Sequence, residues 1–111
     1  MELSLTSRMS QGWTIIDVAG ELDLNTAPTL REEIDRAVEG GATRVAVGMS
    51  EVTFMDSTGL GMLVTALKHL QEREGQLALV AIDGSPRKVL SITGLDDVLP
   101  TYDGAEDLPA G

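Results

Sequence analysis

Hydrophobic spacing along this chain switches between the two-residue repeat of strands and the 3.6-residue repeat of helices. Leu3 and Leu5 alternate with polar residues, Arg8 to Gly12 reads as a turn, and Trp13 to Ala19 is a β-rich run. Together they predict an opening antiparallel hairpin. Leu22 to Thr26 reads as a loop that ends in a helix cap, with Pro28 suited to the first helical turn. Ala27, Leu30, Ile34, Ala37 and Val38 then share one helical face, and Gly40-Gly41 stops the helix. Arg44 to Val47 predicts a short buried strand, and a separate apolar piece, Val52-Thr53-Phe54-Met55, leads into Asp56. From Thr58 the period lengthens: Leu60, Leu63, Val64, Leu67 and Leu70 mark a helix that closes near Gly75. Leu77 to Ile82 is a continuous apolar run, as in a strand buried on both faces. Ser85-Pro86 opens another helix, with Val89, Leu90 and Ile92 on its apolar side and Gly94 as its cap. A short last strand is expected around Leu99 to Tyr102.

Two strand–helix–strand units after a hairpin define an α/β fold, a single domain with a mixed, mostly parallel sheet of four to five strands. Right-handed crossovers set the helices against the sheet. Residues 1–103 are expected to form this domain and 104–111 an acidic tail that frays.

Composition narrows the function. The chain has 111 residues, and 8 basic against 18 acidic side chains leave a net charge of −10. Such a surface repels phosphate backbones and anionic lipid, so neither nucleic acid nor membrane is an expected partner. Three aromatics, Trp13, Phe54 and Tyr102, are too few for a base-stacking platform. There is no cysteine, which removes disulfides and thiolate metal sites. No secretory signal pattern or membrane-length apolar run is visible, and the expected setting is the cytoplasm.

The segment Met55-Asp56-Ser57-Thr58-Gly59-Leu60-Gly61 stands out. Asp56, Ser57 and Thr58 are each good N-caps, more than one helix start needs. Gly59 and Gly61 in the first turns each cost about 0.8–1 kcal/mol against alanine. Local stability would not select this, whereas an exposed hydroxyl on a backbone open to close approach would. Tight packing of a capped helix on the sheet is the competing structural explanation.

Catalytic readings of the same residues fail on spacing. A serine nucleophile needs a base within hydrogen-bond reach, and the sole histidine, His69, lies twelve residues on, about 18 Å along the same helix at 1.5 Å per residue. Met55 stands where a Gly-x-Ser-x-Gly elbow needs glycine. Gly59-Leu60-Gly61 lacks the third glycine of a dinucleotide loop and the lysine of a phosphate loop. Asp23 and Asp56 have no histidine, cysteine or third acid placed to complete a carboxylate site. No cofactor or metal is expected.

Gly20-Glu21-Leu22-Asp23 with Thr26-Ala27, followed by Val52-Thr53-Phe54-Met55-Asp56-Ser57-Thr58-Gly59-Leu60-Gly61 and later Gly94-Leu95, resembles the bacterial anti-sigma-factor antagonists of the STAS domain family. The resemblance covers roughly residues 3–103. It implies helices packed mainly on one side of a four- or five-stranded sheet. It also implies a protein that does no catalysis. In its unphosphorylated form such an antagonist binds an anti-sigma factor that is also a serine kinase of the histidine-kinase-like ATPase type, and so releases the sigma factor. Phosphorylation of the antagonist's serine ends binding, and a metal-dependent serine phosphatase resets it. On these positions the resemblance assigns the phosphorylated serine to Ser57. It assigns partner contacts to Asp23, Leu24, Asn25, Thr26, Asp56, Ser57, Thr58, Gly59 and Leu60. Three departures accompany it. Thr58 replaces a more usual serine and offers a second hydroxyl. Gly48 replaces an Asp or Asn expected to brace a loop after the third strand. The C-terminal helix shrinks to Ala105–Leu108 before Pro109. The alternatives are a STAS scaffold or interaction module without partner switching, and a small serine-dependent enzyme.

Overall fold

In the computed structural model, which describes residues 3–110, five strands form one sheet in the order in which they occur in the chain. Strands β1 (Ser4–Ser10) and β2 (Trp13–Leu22) are antiparallel, joined through Gln11 and Gly12, both at positive φ as a tight hairpin requires. Strands β3 (Arg44–Met55), β4 (Gln76–Val80) and β5 (Thr101–Tyr102) follow in parallel. Helices α1 (Ala27–Glu39), α2 (Ser57–Gln71) and α3 (Gly84–Ile92) are the crossovers. Each crossover steps the same way across the sheet, and right-handed connections then put every helix on one face. That face holds the main core, including Ile16, Val18 and Leu22 from β2, Leu30 and Ile34 from α1, and Leu60, Leu63 and Leu67 from α2. The mixed, mostly parallel α/β fold is the one predicted. No helix of the described residues is long and apolar enough to cross a membrane.

Several boundaries differ from the sequence-based expectation, each for a physical reason. The hairpin turn is Gln11-Gly12 alone, because Arg8, Met9 and Ser10 pair with Ile15, Thr14 and Trp13. Arg8 stays extended there partly because its Nε donates to Asp17 across the hairpin at 2.7 Å. The last strand is Thr101–Tyr102, and Leu99 is buried just ahead of it. Ile92, expected on the apolar side of α3, is 83% exposed, since Pro86 and Leu90 supply the buried side of this short helix.

The largest difference is in β3. The two apolar pieces expected at 44–47 and 52–55 belong to one twelve-residue strand. Its register against β2 shifts twice: Asp17 faces Gly48 but Ala19 faces Glu51, and Gly20 faces Val52 but Glu21 faces Phe54. At each shift β3 carries one extra residue, a β-bulge. Two bulges convert the alternation of a strand into a three-residue repeat. Met49, Val52 and Met55 are buried in the helix-side core, while Ser50, Glu51, Thr53 and Phe54 are exposed. Gly48 thus lies inside β3 and not in a loop after it, and a β-carbon there would collide with the Asp17 carboxylate.

The C-terminal segment does not stand free. The sheet face opposite the helices carries Trp13, Ile15, Ala46, Ala78 and Val80, and Leu108 buries itself among them. The Trp13 indole Nε1 donates to the Pro109 carbonyl at 2.7 Å, satisfying a donor whose ring is 1% exposed. The segment covers apolar surface that no helix reaches. Leu108→Ala is therefore expected to cost about 2–3 kcal/mol and lower the melting temperature by several degrees, as for a buried leucine. A thermal melt unchanged by this substitution would mean that the segment is not held.

Candidate functional site

The parallel strands β2 and β3 end side by side, and the chain leaves each through a loop that starts a helix. The Leu22 carbonyl joins the two exits by accepting the Asp56 amide at 3.2 Å. Directly above it, Gly59 presses its Cα side against the same group. A β-carbon on Gly59 would lie 2.6 Å from the Leu22 carbonyl oxygen and 2.9 Å from the Leu22 side chain. No L side chain fits that gap.

Each loop is braced by an aspartate. Asp56 is the N-cap of α2, in extended conformation, and its Oδ1 accepts the Gly59 amide at 2.9 Å. Asp23 Oδ1 accepts the amides of Asn25 at 2.9 Å and Thr26 at 3.1 Å. The Thr26 hydroxyl donates to the Glu21 carbonyl at 2.6 Å and accepts the Asp23 amide at 2.9 Å. With both carboxylates half-buried and committed to backbone amides, the loops are fixed without any group from α3.

Of the nine residues assigned to the site, these contacts divide the exposed from the supporting. Leu24 (68% exposed), Asn25, Ser57 and Thr58 face solvent, and Asp23 and Asp56 do so in part. Thr26 is 4% exposed, Leu60 2%, and Gly59 is buried. Leu60 is therefore corrected from an apolar partner contact to a core residue under the loop, and Thr26 and Gly59 act as braces. Helical spacing carries the signal for the glycines, because Gly59 shares its face with Leu63, Ala66, Leu67 and Leu70 whereas Gly61 does not. The open backbone position is Gly61, where an added β-carbon would meet nothing within 4 Å. Phe54, within the second apolar piece of the sequence, is 43% exposed three residues before Ser57.

Ser57 is the first residue of α2, so its hydroxyl sits at a helix N-terminus where amides are left without intrahelical partners. The two segments that form the exits are free of basic residues: no Lys, Arg or His occurs between Arg8 and Arg31 or between Arg44 and Lys68. His69 lies near the far end of α2, where it lines a shallow hollow with Arg31, Asp35 and Glu39 of α1 and with Arg73. With the single histidine at the other end of α2, no imidazole reaches Ser57, and among the described residues no group of three or more His, Asp or Glu side chains could hold a metal ion. The arrangement can present a hydroxyl to another molecule and can accommodate an anion on it.

The STAS domain model matches residues 4–108, which takes in the C-terminal segment as far as Leu108. The chain is 31% identical over 106 residues to the anti-sigma-B factor antagonist of Staphylococcus aureus strain NCTC 8325, covering 96% of this chain and 98% of that one. An anti-sigma factor antagonist from Mycobacterium paratuberculosis superposes with a TM-score of 0.84 at 28% identity, over 95% of this chain and 89% of that one. The Bacillus cell fate determinant SpoIIAA in its phosphorylated form gives a TM-score of 0.70 at 26% identity, over 93% and 95% of the two chains.

The two glycines give opposite expectations. Gly59→Ala drives a methyl into the Leu22 backbone, which must move, and should cost about 2 kcal/mol or more, as overpacking does. Gly61→Ala meets nothing, so the helix gains up to about 1 kcal/mol from the better helix former. Denaturant unfolding of both variants checks this. Equal effects would mean that the close approach at Leu22 does not constrain the loop.

Proposed function

This chain belongs to the STAS domain family, and from that premise we propose that it is an anti-sigma-factor antagonist switched by phosphorylation of Ser57. In its unphosphorylated form it binds an anti-sigma factor that is also a histidine-kinase-like serine kinase, and the sigma factor is released. The partner transfers phosphate to Ser57 and the complex separates. A metal-dependent serine phosphatase removes the phosphate. The chain does no catalysis of its own and works in the cytoplasm.

The observation that carries this reading is the exposed Ser57 hydroxyl, at the start of a helix and on a loop rigidly tied to its neighbour. A kinase needs a hydroxyl that protrudes, and a switch needs a site whose modification leaves the domain intact. A phosphate adds about −1.5 to −2 charge near neutral pH. At the N-terminus of α2 that charge meets the positive end of the helix dipole and unpaired amides, which favours the fold. At the surface the same charge lies among Glu21, Asp23 and Asp56, with no cation in the adjoining sequence to neutralise it. Phosphorylation then acts on the interface, through bulk and charge, and not by unfolding.

Ser57→Ala should abolish phosphorylation and leave binding to the anti-sigma factor largely intact, giving an antagonist that is always active. Ser57→Glu should bind at least tenfold more weakly, about 1.4 kcal/mol, with little change in melting temperature. Phosphopeptide mapping and calorimetric titration read both. Phosphate found on Thr58, or normal labelling of the alanine variant, would move the site, and wild-type binding by the glutamate variant would remove the electrostatic switch.

A further inference from the structure

Of the residues around this loop, Phe54 is the one whose position the rest of the fold does not explain. It is the chain's only phenylalanine and one of three aromatics. Trp13 is buried and Tyr102 half-buried on the face covered by the C-terminal segment. Phe54 is 43% exposed although it sits in the longest strand of the sheet.

The exposure is produced by the second bulge. Plain alternation from buried Val52 would turn Phe54 into the core and Met55 out of it. The extra residue between the Gly20–Val52 and Glu21–Phe54 pairs reverses the two. Bulges of this kind re-aim a side chain beside a working site. Placing Met55 in the core accounts for the bulge but not for the aromatic, because a polar residue at position 54 would serve it equally and would hydrate better.

Single exposed apolar residues are ordinary, but Phe54 is not isolated. Leu24, on the loop that leaves β2, is 68% exposed, so the two strand exits that bracket Ser57 each offer a large apolar side chain. Carboxylates accompany them: Glu21 faces Phe54 directly in the sheet, Glu51 stands three residues before Phe54, and Asp23 and Asp56 open the two exits. The geometry points to Phe54 as the central apolar anchor of the interface, received by a pocket on the anti-sigma factor whose rim is cationic. This deepens the function proposed above and rests on it. An aromatic in a desolvated pocket, ringed by charge pairs, is the usual composition of an interface hot spot.

The test titrates purified histidine-kinase-like proteins encoded by the source genome, one at a time, into the wild-type chain and its variants. For the protein that binds wild type, Phe54→Ala should weaken binding by at least about 30-fold, and Phe54→Tyr by no more than about threefold. Ile92→Ala, at a still more exposed apolar position on α3, should change it less than twofold. Phe54→Thr keeps the strand preference and supplies the same readout should the alanine variant melt early. In the kinase assay the Phe54 variants should raise KM for Ser57 phosphorylation and leave kcat within about twofold, which a merely structural role would not do. Wild-type affinity in both Phe54→Ala and Phe54→Thr, beside a Ser57→Glu variant that has lost binding, would overturn the anchor and leave the proposed function standing. Failure of every such protein to bind wild type would overturn both.

Discussion

The contact between the Leu22 carbonyl and the start of α2 organises this end of the molecule. One carbonyl accepts the Asp56 amide and leaves so little room above it that only glycine fits at position 59. Leu22 closes the strand that feeds the Asp23–Thr26 loop, and Asp56 opens the helix that carries Ser57. The two loops therefore cannot move independently. Their own braces, Asp23 to the Asn25 and Thr26 amides and Asp56 to the Gly59 amide, are local and fix each loop's shape. The Leu22 contact fixes their relation. A surface assembled from two chain segments needs both.

The β3 bulges serve the same end of the sheet in a different way. β4 pairs with β3 only as far as Gly48 opposite Val80, so the last seven residues of β3 have β2 as their only strand partner. A flat, alternating strand projecting from the sheet would be an invitation to edge-to-edge association. The three-residue repeat breaks that flat edge, buries Met49, Val52 and Met55, and turns polar and aromatic residues outward. It also delivers Asp56 to the N-cap of α2 in the correct orientation over Leu22.

What the sequence reveals of this follows from which interactions are local. The helix periodicities of α1 and α2, the cap chemistry of Asp56, and the glycine stop after α1 are local, and all three are legible. The continuity of β3 is not, because two bulges give it a repeat that is neither two nor 3.6, and periodicity alone splits it into two pieces. Leu108 is a lone apolar residue among acids, with no period to expose its destination. Its burial depends on Trp13, at the other end of the chain. The exposed and buried members of the candidate site are hard to separate for a related reason: Leu60 belongs both to the motif and to the helix face that packs on the sheet. Helical spacing alone assigns it to the core, and the motif alone assigns it to the surface. Packing decides for the core.

The charge distribution sets how such a surface can be regulated. A protein that carries ten net negative charges gains little specificity from one more carboxylate, yet a phosphate differs from a carboxylate in size and in where it sits. In the switch proposed here, a phosphate at Ser57 is stabilised within the chain by the first turn of α2 and opposed outside it by the acids of both strand exits. On that proposal the folded state and the bound state respond to the same group with opposite sign. That separation follows from placing the hydroxyl at a helix N-terminus, where new negative charge favours the fold, and on a loop that Leu22 keeps from yielding. A mobile loop could relax away from a partner's charges and blunt the response. Here the rigidity comes from the backbone of β2, so in the proposed switch the discrimination between the two states of Ser57 falls on the interface itself.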